Sequence, residues 1–202
     1  MTDKVWNEIR SDYDAYHYSG FTWLPDPKRS EMSRRMERLD TIVLRGAWPA
    51  VVAFRIKKWA RRHHIPVLSL LCDTLNRMFW GVIIGDHVEI GRGFCLAHGY
   101  VVIDGAVKIG NKCSVNPYVT IGLGSGSAVG FSLHGPTLGD NVYIGTGAKV
   151  LGPITIGNNV KIGANAVVIS DIPDNHTAIG VPARAIPQKS PPKKPRAKTK
   201  EE

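Results

Sequence analysis

From Val82 to Pro182 the chain repeats a chemical pattern every six residues. Stepping from Ile84 by six gives Ile90 and Leu96; one extra residue intrudes around His98–Tyr100. The count resumes at Ile103, Ile109, Val115 and Ile121, is interrupted from Gly122 to Thr137, and returns at Leu138, Ile144, Val150, Ile156, Ile162 and Val168. Four residues after the aliphatic stands a second small or branched residue, as at Val88, Val107, Cys113, Val142 and Val160. A helix needs a period of about 3.6 and an amphipathic strand a period of 2, so neither fits. A six-residue repeat predicts short strands that turn a corner every six residues, three sides to a coil. The aliphatics then stack into one internal ladder, each coil covering its neighbour's apolar edge. Gly follows the aliphatic at Gly85, Gly91, Gly110, Gly122, Gly139, Gly145, Gly157 and Gly163, where it is expected to supply a positive φ at the corners.

Outside the repeat the pattern changes. Val5–Tyr18, Ser30–Leu44, Ala47–Arg62 and the segment from Pro66 to about Trp80 carry helical periodicity. Three or four helices are expected to close the open end of the first coil, as a repeat stack requires. Asp171–Ala185 breaks the period and is expected to fold back over the other end. The division expected is a helical domain over 1–80, a β-helix over 81–186 and a disordered basic tail over 187–202. That tail is rich in Pro and Lys and buries too little apolar surface to fold.

Net charge is +9, concentrated in the tail and in Arg55–His64 (RIKKWARRHH). The second run reads as a solvated helix face rather than a nucleic-acid patch, because no aromatic platform accompanies it. Met1–Asp14 lacks the basic and apolar regions of a secretory signal, and Ile65–Gly85 is broken by Asp73, Asn76 and Arg77. A soluble cytoplasmic protein with reduced Cys72, Cys95 and Cys113 is expected.

A packed solenoid leaves chemistry to its outside, and the two breaks in the repeat each carry one histidine, His98 and His134. A three-histidine metal centre would need another histidine close to His134, and none is there, so no metal is expected. A neutral imidazole can instead act as general base on an attacking hydroxyl or amine.

Residues from about 80 to 186 resemble the hexapeptide-repeat acyltransferases, and serine acetyltransferase most. The resemblance is carried by Ile90–His98 (IGRGFCLAH), Val119–Gly122 (VTIG), Ile144–Val150 (IGTGAKV), Ile162–Val168 (IGANAVV) and Gly180–Arg184 (GVPAR). It implies a mainly β fold: a left-handed parallel β-helix of hexapeptide repeats with an N-terminal helical domain. It further implies an O-acetyltransferase using acetyl-CoA as co-substrate. His98 would be the general base and His134 would lie beside the thioester. Gly122, Thr146, Lys161 and Ala164 match positions that contact acetyl-CoA in a groove between subunits of a homotrimer, alone or paired as a dimer of trimers.

Three departures concern the acceptor. Ala97 and Ile83 stand where those enzymes keep Asp, and Leu133 where they keep Arg; Gly135 is an insertion. The phrase His98–Ile103 (HGYVVI) resembles acetyltransferases of colanic acid biosynthesis. The expectation drawn is a sugar hydroxyl in surface-polysaccharide biosynthesis as acceptor. The alternatives are serine O-acetylation in cysteine biosynthesis with a rebuilt clamp, and a non-catalytic β-helix scaffold.

Overall fold

A computed structural model describes residues 2–18, 30, 47–124 and 134–188. The expected helix over Ser30–Leu44 lies outside the described residues apart from Ser30, and the expected tail apart from Pro187, which is strand, and Gln188, whose N donates to Asn175 O at 3.0 Å. Strands are numbered in chain order. One face holds β1 (Ile83–Ile84), β4 (Val102–Ile103), β7 (Thr120–Gly122), β10 (Lys149–Leu151) and β13 (Val167–Val168). The second holds β2 (Glu89–Ile90), β5 (Ala106–Ile109), β8 (His134–Leu138) and β11 (Thr155–Ile156). The third holds β3 (Cys95–Leu96), β6 (Ser114–Val115), β9 (Tyr143–Ile144), β12 (Lys161–Ile162), β14 (His176–Gly180) and β15 (Ala183–Pro187). The chain visits the faces in turn, making the left-handed three-sided β-helix that the repeat implied. Every pairing is parallel except β14 with β15, which fold back as a hairpin over the last coil.

The register turns the sequence ladder into a core. Ile84 lies against Ile103, Ile103 against Ile121, Ile121 against Val150 and Val150 against Val168. Of the thirteen repeat aliphatics, twelve are buried and Ile90 is partly so; the second inward positions, from Val88 to Ala166, are buried throughout. Each such side chain removed from water contributes roughly 1.5–3 kcal/mol. The ladder is in register beyond both breaks, because Leu96 still pairs Val115 and Ile109 still pairs Leu138, the second break leaving a local register shift at Ala106–Lys108.

The role expected of the repeat glycines is corrected. Positive φ falls instead on Lys112, Asn141, Asn159 and Asn175, at 56° to 59°, which form one corner column. Asparagine tolerates this conformation through its short polar side chain. The glycines after the aliphatics meet the next coil: a Cβ at Gly110 would lie 2.5 Å from the carbonyl oxygen of Gly139. Their need is for an absent side chain rather than an unusual φ.

Three helices are described: α1 (Thr2–Tyr18), α2 (Trp48–Arg62) and α3 (Pro66–Leu75), the last continued by a π-helical turn, Asn76–Trp80. They seal the first coil with side chains that satisfy its unpaired backbone. Tyr16 Oη donates to Leu96 O at 2.6 Å and accepts from Leu96 N at 2.9 Å. Asp12 Oδ1 accepts from Phe94 N at 2.9 Å. Arg55 donates to the carbonyls of Ile90 and Gly91 and pairs with Asp12. Lys57 reaches Ile84 O at 2.9 Å, and Lys58 reaches Val88 O at 3.0 Å. The basic run read as a solvated face is therefore partly internal: Arg55 and Lys57 are only 4% and 3% exposed.

Candidate functional site

The strand registers place several of the predicted residues. Since Leu96, Val115, Ile144 and Ile162 are in register, the residues two further on occupy successive levels of one corner. Those residues are His98, Pro117, Thr146 and Ala164. The backbone ties this column together, with Gly147 N donating to Pro117 O at 2.9 Å and Asn165 N to Thr146 O at 2.8 Å. His98, Thr146 and Ala164 are exposed along it. The corner at His98 is held by contact with the helical cap. A Cβ at Gly99 would lie 1.9 Å from Trp80 O, and Tyr100 N donates to that same oxygen at 2.8 Å.

Lys161 opens β12 on the third face, which leads into this corner, and its side chain is exposed. Gly122 stands elsewhere. It ends β7 opposite Leu151, is buried, and accepts from Gly152 N at 3.0 Å where the first face turns into the second. His134 is the first residue of β8 beside Ala106, and is exposed. The interruption expected to run to Thr137 therefore ends sooner: His134–Leu138 is already strand, with a register shift opposite Ala106–Lys108. Within one chain His98 and His134 occupy different corners of the prism.

Asp86 and Asp104, two carboxylates that could be asked to orient His98, are also on the other corner. Asp86 follows β1, and its carboxylate is held by Lys57 at 2.9 Å and by Arg61. Burial raises its pKa, but the Lys57 hydrogen bond and the charges of Lys57 and Arg61 outweigh this and hold it below the usual value. Asp104 follows β4 and accepts from Gly105 N at 2.8 Å. Among the described residues no cluster of three or more His, Cys, Asp or Glu could hold a metal ion. Cys113 is buried, and burial pushes its thiol up to about 11, so it is an inert core residue. No helix among the described residues is long and apolar enough to cross a membrane.

One feature of this corner escaped the sequence reading. Tyr100 and Tyr118 adjoin the His98 column with rings stacked at 5.4 Å and 14° between planes, both more than half exposed. The signal available was two tyrosines eighteen residues apart, one solenoid turn.

Residues 135–170 match the family model described as bacterial transferase hexapeptide (six repeats), which with the three-sided coil defines a hexapeptide-repeat transferase. The particular family follows from curated relatives. The chain is 38% identical over 149 residues to the serine acetyltransferase of Synechococcus elongatus, covering 73% of this chain and 60% of the relative. It is 41% identical over 140 residues to that of Bacillus subtilis, covering 69% and 63%. It is 38% identical over 138 residues to that of Helicobacter pylori J99, covering 68% and 79%. The serine acetyltransferase of Neisseria gonorrhoeae superposes with a TM-score of 0.74 at 30% identity, over 94% of this chain and 68% of that one. The soybean enzyme complexed with serine gives 0.72 at 28% identity, over 90% and 69%. The chain belongs to the serine acetyltransferase family, and it spans about 60% of the length of the first two relatives.

These relatives overturn the expectation of a sugar acceptor in polysaccharide biosynthesis. That expectation treated Ala97, Ile83 and Leu133 as a lost clamp. Ala97 is buried at 5% exposure, so a charge there would not stand free, and Leu133 lies outside the described residues. The missing charges at matched positions therefore do not carry the sugar reading.

Proposed function

We propose that this protein is an acetyl-CoA-dependent serine O-acetyltransferase. The observation that carries the reading is the single exposed column of His98, Thr146 and Ala164, with Lys161 on the adjoining face. It sets a general base at one end of a straight track along successive coil edges. In this reading the imidazole of His98 takes the proton of the serine hydroxyl as its oxygen attacks the thioester carbonyl. The C–O bond forms, the C–S bond breaks, and the departing thiolate takes up a proton to leave as CoA. Lys161 supplies charge to the CoA phosphates, while backbone N–H groups of the coil edges stabilise the oxyanion.

His134 and Gly122 join the site only from the corner of a second copy. Three copies around an axis bring the His98 corner of one chain against the His134 corner of the next, so a homotrimer is part of the proposal. An apolar stripe on α3 and the π turn supports self-association: Val67, Leu70, Leu71, Met78 and Phe79 are all more than half exposed. Acetyl-CoA is a cytoplasmic thioester, and the reading places the enzyme there. The test is release of thiol from acetyl-CoA on addition of L-serine. Saturable release supports the reading; none with L-serine, at donor concentrations that saturate binding, rejects it.

A further inference from the structure

Among the described residues, β3 has a strand on one side alone: β6 lies above it and no strand lies below. Cys95 and Ala97 donate upward to the carbonyls of Cys113 and Val115, at 2.9 and 3.0 Å. Leu96, between them, turns its backbone groups the other way, toward the unpaired edge. Both groups go to one atom, the buried Oη of Tyr16 on α1, which accepts from Leu96 N and donates to Leu96 O. A hydroxyl can do both at once, so Tyr16 gives Leu96 what a further coil would give it. Burial raises the Tyr16 pKa well above the usual phenol range, so the donor is kept.

Tyr16 is one of a row. Glu8, Asp12 and Tyr16 stand four residues apart on one face of α1. Asp12 accepts from Phe94 N and is held by Arg55, to which Glu8 adds its charge at 3.6 Å. Asp12 at Phe94 and Tyr16 at Leu96 thus follow the edge of β3 at alternate residues, and His98 is the next in that alternation. Past His98 the helices take hold again. Trp80 O accepts from Tyr100 N at 2.8 Å and stands 1.9 Å from where a Gly99 Cβ would be. The exposed His98 is therefore slung between two points, Leu96 and Tyr100, that are both fixed from the helical cap. The strands leading to Thr146 and Ala164 differ: β9 and β12 each have a strand above and below, and the solenoid alone sets their heights.

We infer that Tyr16 is a positioning residue for His98: its hydroxyl fixes the height of the strand that carries the imidazole, which makes α1 a working part of the site. This rests on the reading of His98 as general base. Proton transfer is steep in distance, and a misplacement of about 1 Å costs roughly 10²-fold in rate.

The experiment measures thiol release with L-serine, below the Tm of each variant, and CoA binding by calorimetry. Tyr16→Phe removes the hydroxyl and keeps the ring. It is expected to lower kcat roughly ten- to hundredfold while KM for acetyl-CoA and Kd for CoA stay within twofold. Tyr16→Leu also lacks the hydroxyl and gives the same reading if Tyr16→Phe does not fold. Lys58→Met is the control, since it removes another donor from the cap to the first coil, at Val88 O on the second face; its kcat is expected within twofold of wild type. A merely structural role for Tyr16 would not separate kcat from donor binding, nor Tyr16 from Lys58. A folded hydroxyl-free variant with kcat within twofold of wild type overturns the inference and leaves the serine reading intact. An equal loss of kcat in Lys58→Met overturns it too, because any loosening of the cap then suffices. Loss of CoA binding in both Tyr16 variants overturns it as well, because the hydroxyl then holds the whole fold. A wild-type protein that releases no thiol with L-serine rejects the serine reading and this inference with it.

Discussion

At the scale of single residues, one letter of the sequence can answer two physical demands. The buried aliphatics were legible because burial at a fixed period has one cause. The glycines were not, since both a positive φ and a close backbone approach select the same residue. The structure separates them, and Gly110→Ala is expected to destabilise the fold through its clash with the Gly139 carbonyl, read as a lower Tm. His98→Ala is expected to lower kcat by roughly 10²–10⁴-fold in the thiol-release assay, with little change in acetyl-CoA binding. Lys161→Glu is expected to weaken CoA binding in calorimetry, and more at low salt, where charges are less screened. Equal loss at all salt concentrations would mean that Lys161 acts other than through charge.

At the scale of elements, the helical cap was legible as helices but not as chemistry. The run Arg55–His64 has the composition of a solvated face, and its acceptors are backbone carbonyls some thirty residues further on, which no local pattern reveals. Arg55→Ala would leave Asp12 buried without its cation. A loss of about 3–5 kcal/mol is expected in denaturant unfolding, the range for breaking a buried pair. The acid limb of stability is expected to report Asp86. Its pKa is lowered in the folded state, so its contribution is full above the unfolded value of about 3.9 and disappears as pH falls through the folded value. Asp86→Asn should flatten that limb of a Tm-against-pH curve. Asp12 has the opposite sign: burial raises its pKa against the pull of Arg55, so its titration favours the fold at low pH and loses that effect as pH rises through the raised value. An Asp86→Asn variant with an undiminished acid slope would move the effect to other carboxylates.

At the scale of the whole molecule, the repeat gave the three-sided coil directly, while the pairing of corners needed the structure. Sequence spacing put His98 and His134 in equivalent breaks, yet the registers set them on different corners, so the proposed site asks for two copies. Replacing Leu71 and Met78 together by Glu in the exposed stripe is expected to reduce the mass in solution to that of one 22.1 kDa chain and to abolish turnover. An active monomer would refute the shared site. The two ends of the solenoid carry a further consequence. Each coil presents one open strand edge upward and a matching edge downward, so a naked stack would be its own template and would lengthen chain upon chain into a fibre. Here the lower edge is occupied by Asp12, Tyr16, Arg55 and Lys57, and the upper edge of the third face by a strand running the wrong way, β15. The ends no longer match each other. The molecule stops at a finite length because its two terminators are built differently, one from side chains and one from reversed backbone.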